Sequence, residues 1–160
     1  MSFEKLKVQF MKRAIELSRS NMNANKGGPF GAVVVKDGSI VGEGWNQVTS
    51  SNDPTAHAEV MAIRHAAKNL NNFDLNGCEI YTSCEPCPMC LSAIYWARID
   101  KIYYANTRKD AAQINFDDDF LYTEINQPLD KRKVPIAQLL RDEAQAVFTE
   151  WKNKADKIPY

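Results

Sequence analysis

The chain has 160 residues, 44% of them hydrophobic and 25% charged, and its 20 Lys plus Arg balance 20 Asp plus Glu. That length is enough for one domain with its own core, and zero net charge argues against a broad nucleic-acid surface, whose footprint is an excess of base. No run approaches the roughly 18 apolar residues of a membrane span, and the charged stretch from Met1 to Arg19 lacks the apolar core of a signal peptide.

Phe3, Leu6, Phe10, Ala14 and Leu17 recur at three- and four-residue steps, which predicts an amphipathic helix from Ser2 to Asn21. Gly27-Gly28-Pro29 ends it. Phe30 to Val35 and Ser39 to Trp45 are strand-forming runs joined by Lys36-Asp37-Gly38, a hairpin signal. After a polar loop from Val48 to Pro54, Ala58, Met61, Ala62, His65 and Ala66 keep a helical period across Thr55 to Asn69. Gly77 to Ser83 reads as a buried strand. Pro86 suits a first helical turn, so a helix is expected through Cys87 to Ala97, followed by a strand from Lys101 to Ala105. Phe116-Asp117-Asp118-Asp119-Phe120 is an acidic run between aromatics. Ile136, Leu139, Leu140, Val147, Phe148 and Trp151 predict a last helix ending near Asn153. A hairpin followed by alternating helices and strands predicts one α/β domain over residues 1–160, with helices on both faces of a mixed sheet.

The four cysteines are Cys78, Cys84, Cys87 and Cys90, and three of them cluster. Without a secretory leader that clustering points to metal or redox chemistry and to the cytoplasm, not to a disulfide framework. Cys87 and Cys90 are three apart, so a helix beginning at Cys87 sets both sulfurs on one face. His57 supplies a nitrogen as a third ligand. Three protein ligands leave the fourth position of a tetrahedral zinc open, as in catalytic sites. Glu59, two residues past the histidine, is the carboxylate placed to move protons. A thioredoxin-like reading of Cys87-Pro88-Met89-Cys90 would not call for His57-x-Glu59. Cys84, at the expected strand end, falls away from the Cys87/Cys90 face, and Cys78 reads as core. A non-catalytic zinc module would need a fourth protein ligand, for which Cys84 is the nearby candidate.

His-x-Glu followed by Pro-Cys-x-x-Cys is the signature of zinc deaminases of nucleobases. The chain resembles the cytidine deaminase superfamily over nearly its whole length. Gly28 to Val33, Asn46, Asn52 to Glu59, Cys84 to Cys90, Tyr95 to Arg98 and Phe116-Asp117-Asp118 are similar to bacterial guanine deaminases. That resemblance implies an α/β/α three-layer sandwich around a mixed five-stranded sheet. One zinc per chain would be held by His57, Cys87 and Cys90, with Glu59 catalytic, and guanine would be hydrolysed to xanthine and ammonia. Asn46 and Asp118 would contact the base, and a carboxylate suits guanine because N1–H and the exocyclic amine are both donors. Asp117 and Asp119 are adjacent rivals for that role. Phe30 and Trp96 are candidates to stack on the base, although Trp96, in mid-helix, reads better as core packing. The resemblance also implies a homodimer, with residues 137–160 as a helix and tail closing the active site, Tyr160 contacting substrate, and possible exchange of this segment between subunits. The alternatives are a tRNA adenosine deaminase or a deaminase of cytosine or another aminated heterocycle.

Overall fold

A computed structural model describes residues 2–160, which divide into two compact units, one ending at Asp119 and one beginning at Phe120. In the first unit, α1 (Phe3–Asn23) is followed by the hairpin β1 (Gly31–Lys36) and β2 (Ser39–Trp45), a short α2 (Val48–Ser51) and α3 (Ala58–Leu70). Then come β3 (Cys78–Cys84), α4 (Pro88–Trp96), β4 (Lys101–Asn106), α5 (Arg108–Gln113) and the first residue of α6 (Asp119–Asn126). The strands lie in the order β2-β1-β3-β4, with β1 antiparallel to both neighbours and β3 parallel to β4.

The two-residue period of the strands sorts the core into two layers. Ala32, Val34, Cys78 and Ile80 face Ala58, Ala62 and Ala66 of α3 and Ile94 of α4, all buried. Their neighbours in sequence, Val33, Val35 and Tyr81, point the other way, onto Leu17, Phe10 and Met11 of α1. Register keeps the sets separate, since Val34 pairs with Ile80 and Val33 with Tyr81. The result is helix, sheet, helix. The hairpin closes through Asp37 and Gly38, both at positive φ, as a tight two-residue connection requires.

Gly44 shows how closely α3 lies on β2. A Cβ there would come within 2.1 Å of the Ala58 carbonyl oxygen, so only glycine lets the helix start at this depth. On the other face, Arg13 of α1 grips Glu43 of β2 with two bonds, at 2.8 and 2.9 Å.

The second unit contains the rest of α6, a single 3-10 turn (Leu129–Lys131) and α7 (Arg141–Asn153). Within it, the Lys133 N–H donates to Glu124 Oε2 at 2.9 Å and the Lys133 ammonium lies over the Phe120 ring.

Several expectations are corrected. The sheet has four strands among the described residues, not five; the β-prone run left after β4, Val134 to Ile136, contains Pro135, which has no N–H to give a ladder. The helix expected from Pro86 begins at Pro88 instead, with Cys87 as its N-cap. The last helix starts at Arg141, because Leu140 sits in the left-handed region at φ 53 and breaks the period carried by Ile136 and Leu139. The helices α2, α5 and α6 were not expected. Trp96 is neither core nor part of the cavity that contains His57 and Glu59: it ends α4 and is 67% exposed.

Candidate active site

The site forms at the carboxyl ends of the parallel strands β3 and β4, where α/β sheets leave a crevice. β3 delivers Cys84 and then the turn Glu85-Pro86. Cys87 caps α4, and Cys90 lies on its first turn. On the other side, His57 caps α3 and Glu59 sits in that helix's first turn. Two helix N-termini therefore converge, and their free N–H groups and dipoles favour anionic sulfur there.

The three expected ligands meet. His57 Nδ1 lies 3.6 Å from Cys87 Sγ and 3.5 Å from Cys90 Sγ, and the ligand atoms all fall within 4.8 Å of one another. Ordinary zinc–nitrogen and zinc–sulfur bonds in a tetrahedron put such atoms roughly 3.5 Å apart. The donor set fits one zinc per chain, which His57, Cys87 and Cys90 would hold. Hydrogen bonds from the Cys90 thiol, His57 and the Cys90 N–H draw the Cys87 thiol down to about 4. Cys90 moves up because it faces that thiolate.

Cys84 is different. Burial pushes its thiol up to about 12, and its Sγ donates to the Thr107 carbonyl at 3.7 Å. It stays a neutral thiol outside the ligand group. Cys78 is fully buried in the core, as expected.

Glu59 is 7% exposed, and burial raises its carboxyl above the ordinary range. It shares a cavity of about 410 Å³ with His57, Cys87, Phe30, Asn46 and Asp118. Asn46, also 7% exposed, accepts the N–H groups of Gly28 and Val48 on Oδ1, each at 3.2 Å. Those two donors fix which way the amide points and leave its NH₂ to donate. Gly27 makes this possible: a Cβ there would lie 1.9 Å from the Asn46 carbonyl oxygen. Burial also raises Asp118, with the charges of Cys87, Asp117 and Glu85 adding to it. Asp117 lines the cavity as well, whereas Asp119 opens α6 and pairs with Arg108 at 3.6 Å. Tyr160 lies in the second unit and is 73% exposed.

Phe116 and Glu85 are among the cavity residues to which the sequence assigns no role. Phe116 stands perpendicular to Phe30 with ring centroids 4.9 Å apart, and Glu85 lies between two cysteines that drew all the notice. For Phe116 a signal existed. Thr107-x-x-Asp110 is a capping box that starts α5, and α5 is what brings Phe116 to the cavity.

The cytidine and deoxycytidylate deaminase zinc-binding region matches residues 4–106. The chain is 54% identical over 151 residues to the guanine deaminase of Bacillus subtilis, covering 94% of this chain and 97% of that one. The solved structure of a Bacillus subtilis guanine deaminase superposes with TM-score 0.94 at 52% identity, over 100% of this chain and 99% of the other. A guanine deaminase structure from Nitrosomonas europaea matches with TM-score 0.66 at 32% identity, over 88% and 81% of the two chains. The tRNA-specific adenosine deaminase of Buchnera aphidicola is 36% identical over 128 residues, covering 79% of this chain and 82% of that protein. The chain belongs to the cytidine and deoxycytidylate deaminase zinc-binding family.

Proposed function

We propose that the cavity binds guanine through Asn46, Asp118, Phe30 and Tyr160, and that Glu59 carries the protons of its hydrolysis. The reaction is the zinc-dependent deamination of guanine to xanthine and ammonia. The observation that carries the substrate reading is a carboxylate, Asp118, lining the same cavity as His57 and Glu59. A carboxylate accepts from N1–H and the 2-amino group of guanine and meets only a lone pair at N1 of adenine. Two docked donors also favour the charged form of Asp118, against the burial that raises it.

Zinc held by His57, Cys87 and Cys90 would supply a water whose pKa is lowered from about 16 to near 7. Glu59 takes that water's proton as the oxygen bonds to C2. It hands that proton to the ring nitrogen and then carries the remaining proton of the same oxygen to the amine, so that the C2–N bond breaks, ammonia leaves and C2 keeps a carbonyl oxygen. The buried, raised carboxyl of Glu59 holds a proton more readily than an exposed one, which suits both halves of that transfer. Asn46 donates to an acceptor edge of the base, and Phe30 supplies a ring to lie against it, such contacts contributing about 1–3 kcal/mol.

The functional protein is a homodimer of single-domain chains, with residues 137–160 closing an active site, that of their own chain or the partner's. The exposed Leu139, Val147, Phe148 and Ile158 of the second unit support a partner surface. Four free cysteines suit a reducing compartment, the cytoplasm.

An ammonia-release assay over guanine, adenine, cytosine and a tRNA anticodon arm, with metal analysis, tests the assignment. Turnover of guanine alone with one zinc per chain is expected. Free guanine left untouched while the tRNA is deaminated would overturn it. Light scattering at twice the chain mass checks the dimer, and Tyr160→Ala with an unchanged KM would remove that residue from the site.

A further inference from the structure

The turn that precedes Cys87 is fastened to the chain that leaves β4. The Glu85 N–H donates to the Asn106 carbonyl at 2.8 Å, and the Cys84 thiol to the Thr107 carbonyl at 3.7 Å. A third bond uses a side chain charge. The Arg108 N–H donates to Glu85 Oε2 at 3.0 Å. The first is main-chain pairing, which neither Glu85→Ala nor Glu85→Gln removes, and the second is a weak thiol bond. The third is charge-assisted, a class roughly twice as strong as neutral bonds.

Arg108 is the first residue of α5, and its side chain reaches Asp119 Oδ1 at 3.6 Å. α5 leads through Asn115, at φ 69, into Phe116, Asp117 and Asp118. One carboxylate thus joins the stretch that holds a metal ligand to the stretch that ends in the base acceptor. Glu85 itself lines the cavity, and its charge is near enough to Asp118 to disfavour a second negative charge there.

We propose that Glu85 is a positioning residue for guanine binding: its carboxylate holds the start of α5 against the Cys84–Cys87 turn and so sets the distance from the metal ligands to Asp118. The inference rests on the reading of Asp118 as the guanine acceptor.

Steady-state kinetics with guanine and zinc analysis on the full chain test it. Glu85→Ala is expected to raise KM about tenfold, the loss of one hydrogen bond to a charged group, with kcat within about twofold and one zinc per chain. Glu85→Gln keeps an acceptor oxygen and is expected to restore KM to within about threefold of the parent. Should Glu85→Ala fail to fold, Arg108→Pro removes the donor instead, at a first helical position that proline suits. Measured against Arg108→Ala, which keeps the N–H, it is expected to show the same tenfold rise. An unchanged KM in folded, zinc-loaded Glu85→Ala or Arg108→Pro overturns the proposal, and so does a fall in kcat alone, which would make Glu85 a direct proton carrier. Asp118→Asn is measured alongside. A rise in its KM with none in Glu85→Ala overturns the positioning role only, whereas an unchanged KM in Asp118→Asn overturns the reading beneath it.

Discussion

Phe116 meets Phe30 at a ring-centroid distance of 4.9 Å with the planes 88° apart, and both line the cavity that holds His57 and Glu59. Perpendicular aromatic pairs contribute about 0.5–1.5 kcal/mol beyond the area they bury. Phe116 therefore braces the ring on which a planar base would lie. Phe116→Ala should raise KM for guanine about 2- to 10-fold while zinc content stays at one per chain. Kinetics with metal analysis decides it, and an unmoved KM would make the pair mere packing.

In the proposed reaction Glu59 moves protons and does not bind the metal, since the group placed to hold a metal is His57, Cys87 and Cys90. Glu59→Gln should keep its zinc and lose roughly two to four orders of magnitude in kcat. Retained activity would require another proton carrier. Loss of zinc would mean that Glu59 belongs among the ligands.

Cys84 and Cys87 are three residues apart and differ in kind. The former is held as a thiol near 12 and the latter as a thiolate near 4. Cys84→Ser is expected to retain one zinc per chain, and Cys87→Ser to lose it along with activity. Equal zinc loss in both variants would return Cys84 to the ligand set.

The same thiolate gives a pH dependence to the metal-free protein. The Cys87 thiol falls from 9.0 to about 4 on folding, so the unfolded chain binds more protons between those values. Its contribution to stability is complete above pH 9 and lost as pH falls through about 4. In urea unfolding of chelated samples, the advantage of the parent over Cys87→Ser should be larger at pH 8 than at pH 5. A constant difference would contradict the assignment of that charge to Cys87.

What the residue order discloses depends on how local the cause is. The hairpin at Asp37-Gly38 is written in adjacent residues, and the His57–Cys87–Cys90 group in a spacing that chemistry restricts. The start of α4 was misplaced by two residues, because Pro86 and Pro88 both suit a first turn and only the backbone at Cys87, φ −67 and ψ 168, decides between them. α2 has the sequence Val-Thr-Ser-Ser, poor in helix formers, and is held by the Ser51 N–H and hydroxyl donating to the Gln47 carbonyl. Glu85 and Phe116 could not be read as cavity residues because their partners, Arg108 and Phe30, lie 23 and 86 positions away, by subtraction of their numbers.

The cradle of Asn46 has a consequence for altering this enzyme's taste in substrates. With Gly27 pressed against the Asn46 backbone, and two main-chain N–H groups clamped on its amide oxygen, that wall of the cavity admits almost no variation. Libraries aimed at new heterocycles should leave residues 27, 28 and 46 untouched and spend their diversity on 115–118. There the backbone turns on an asparagine and the side chains are more open to water, so change can be absorbed.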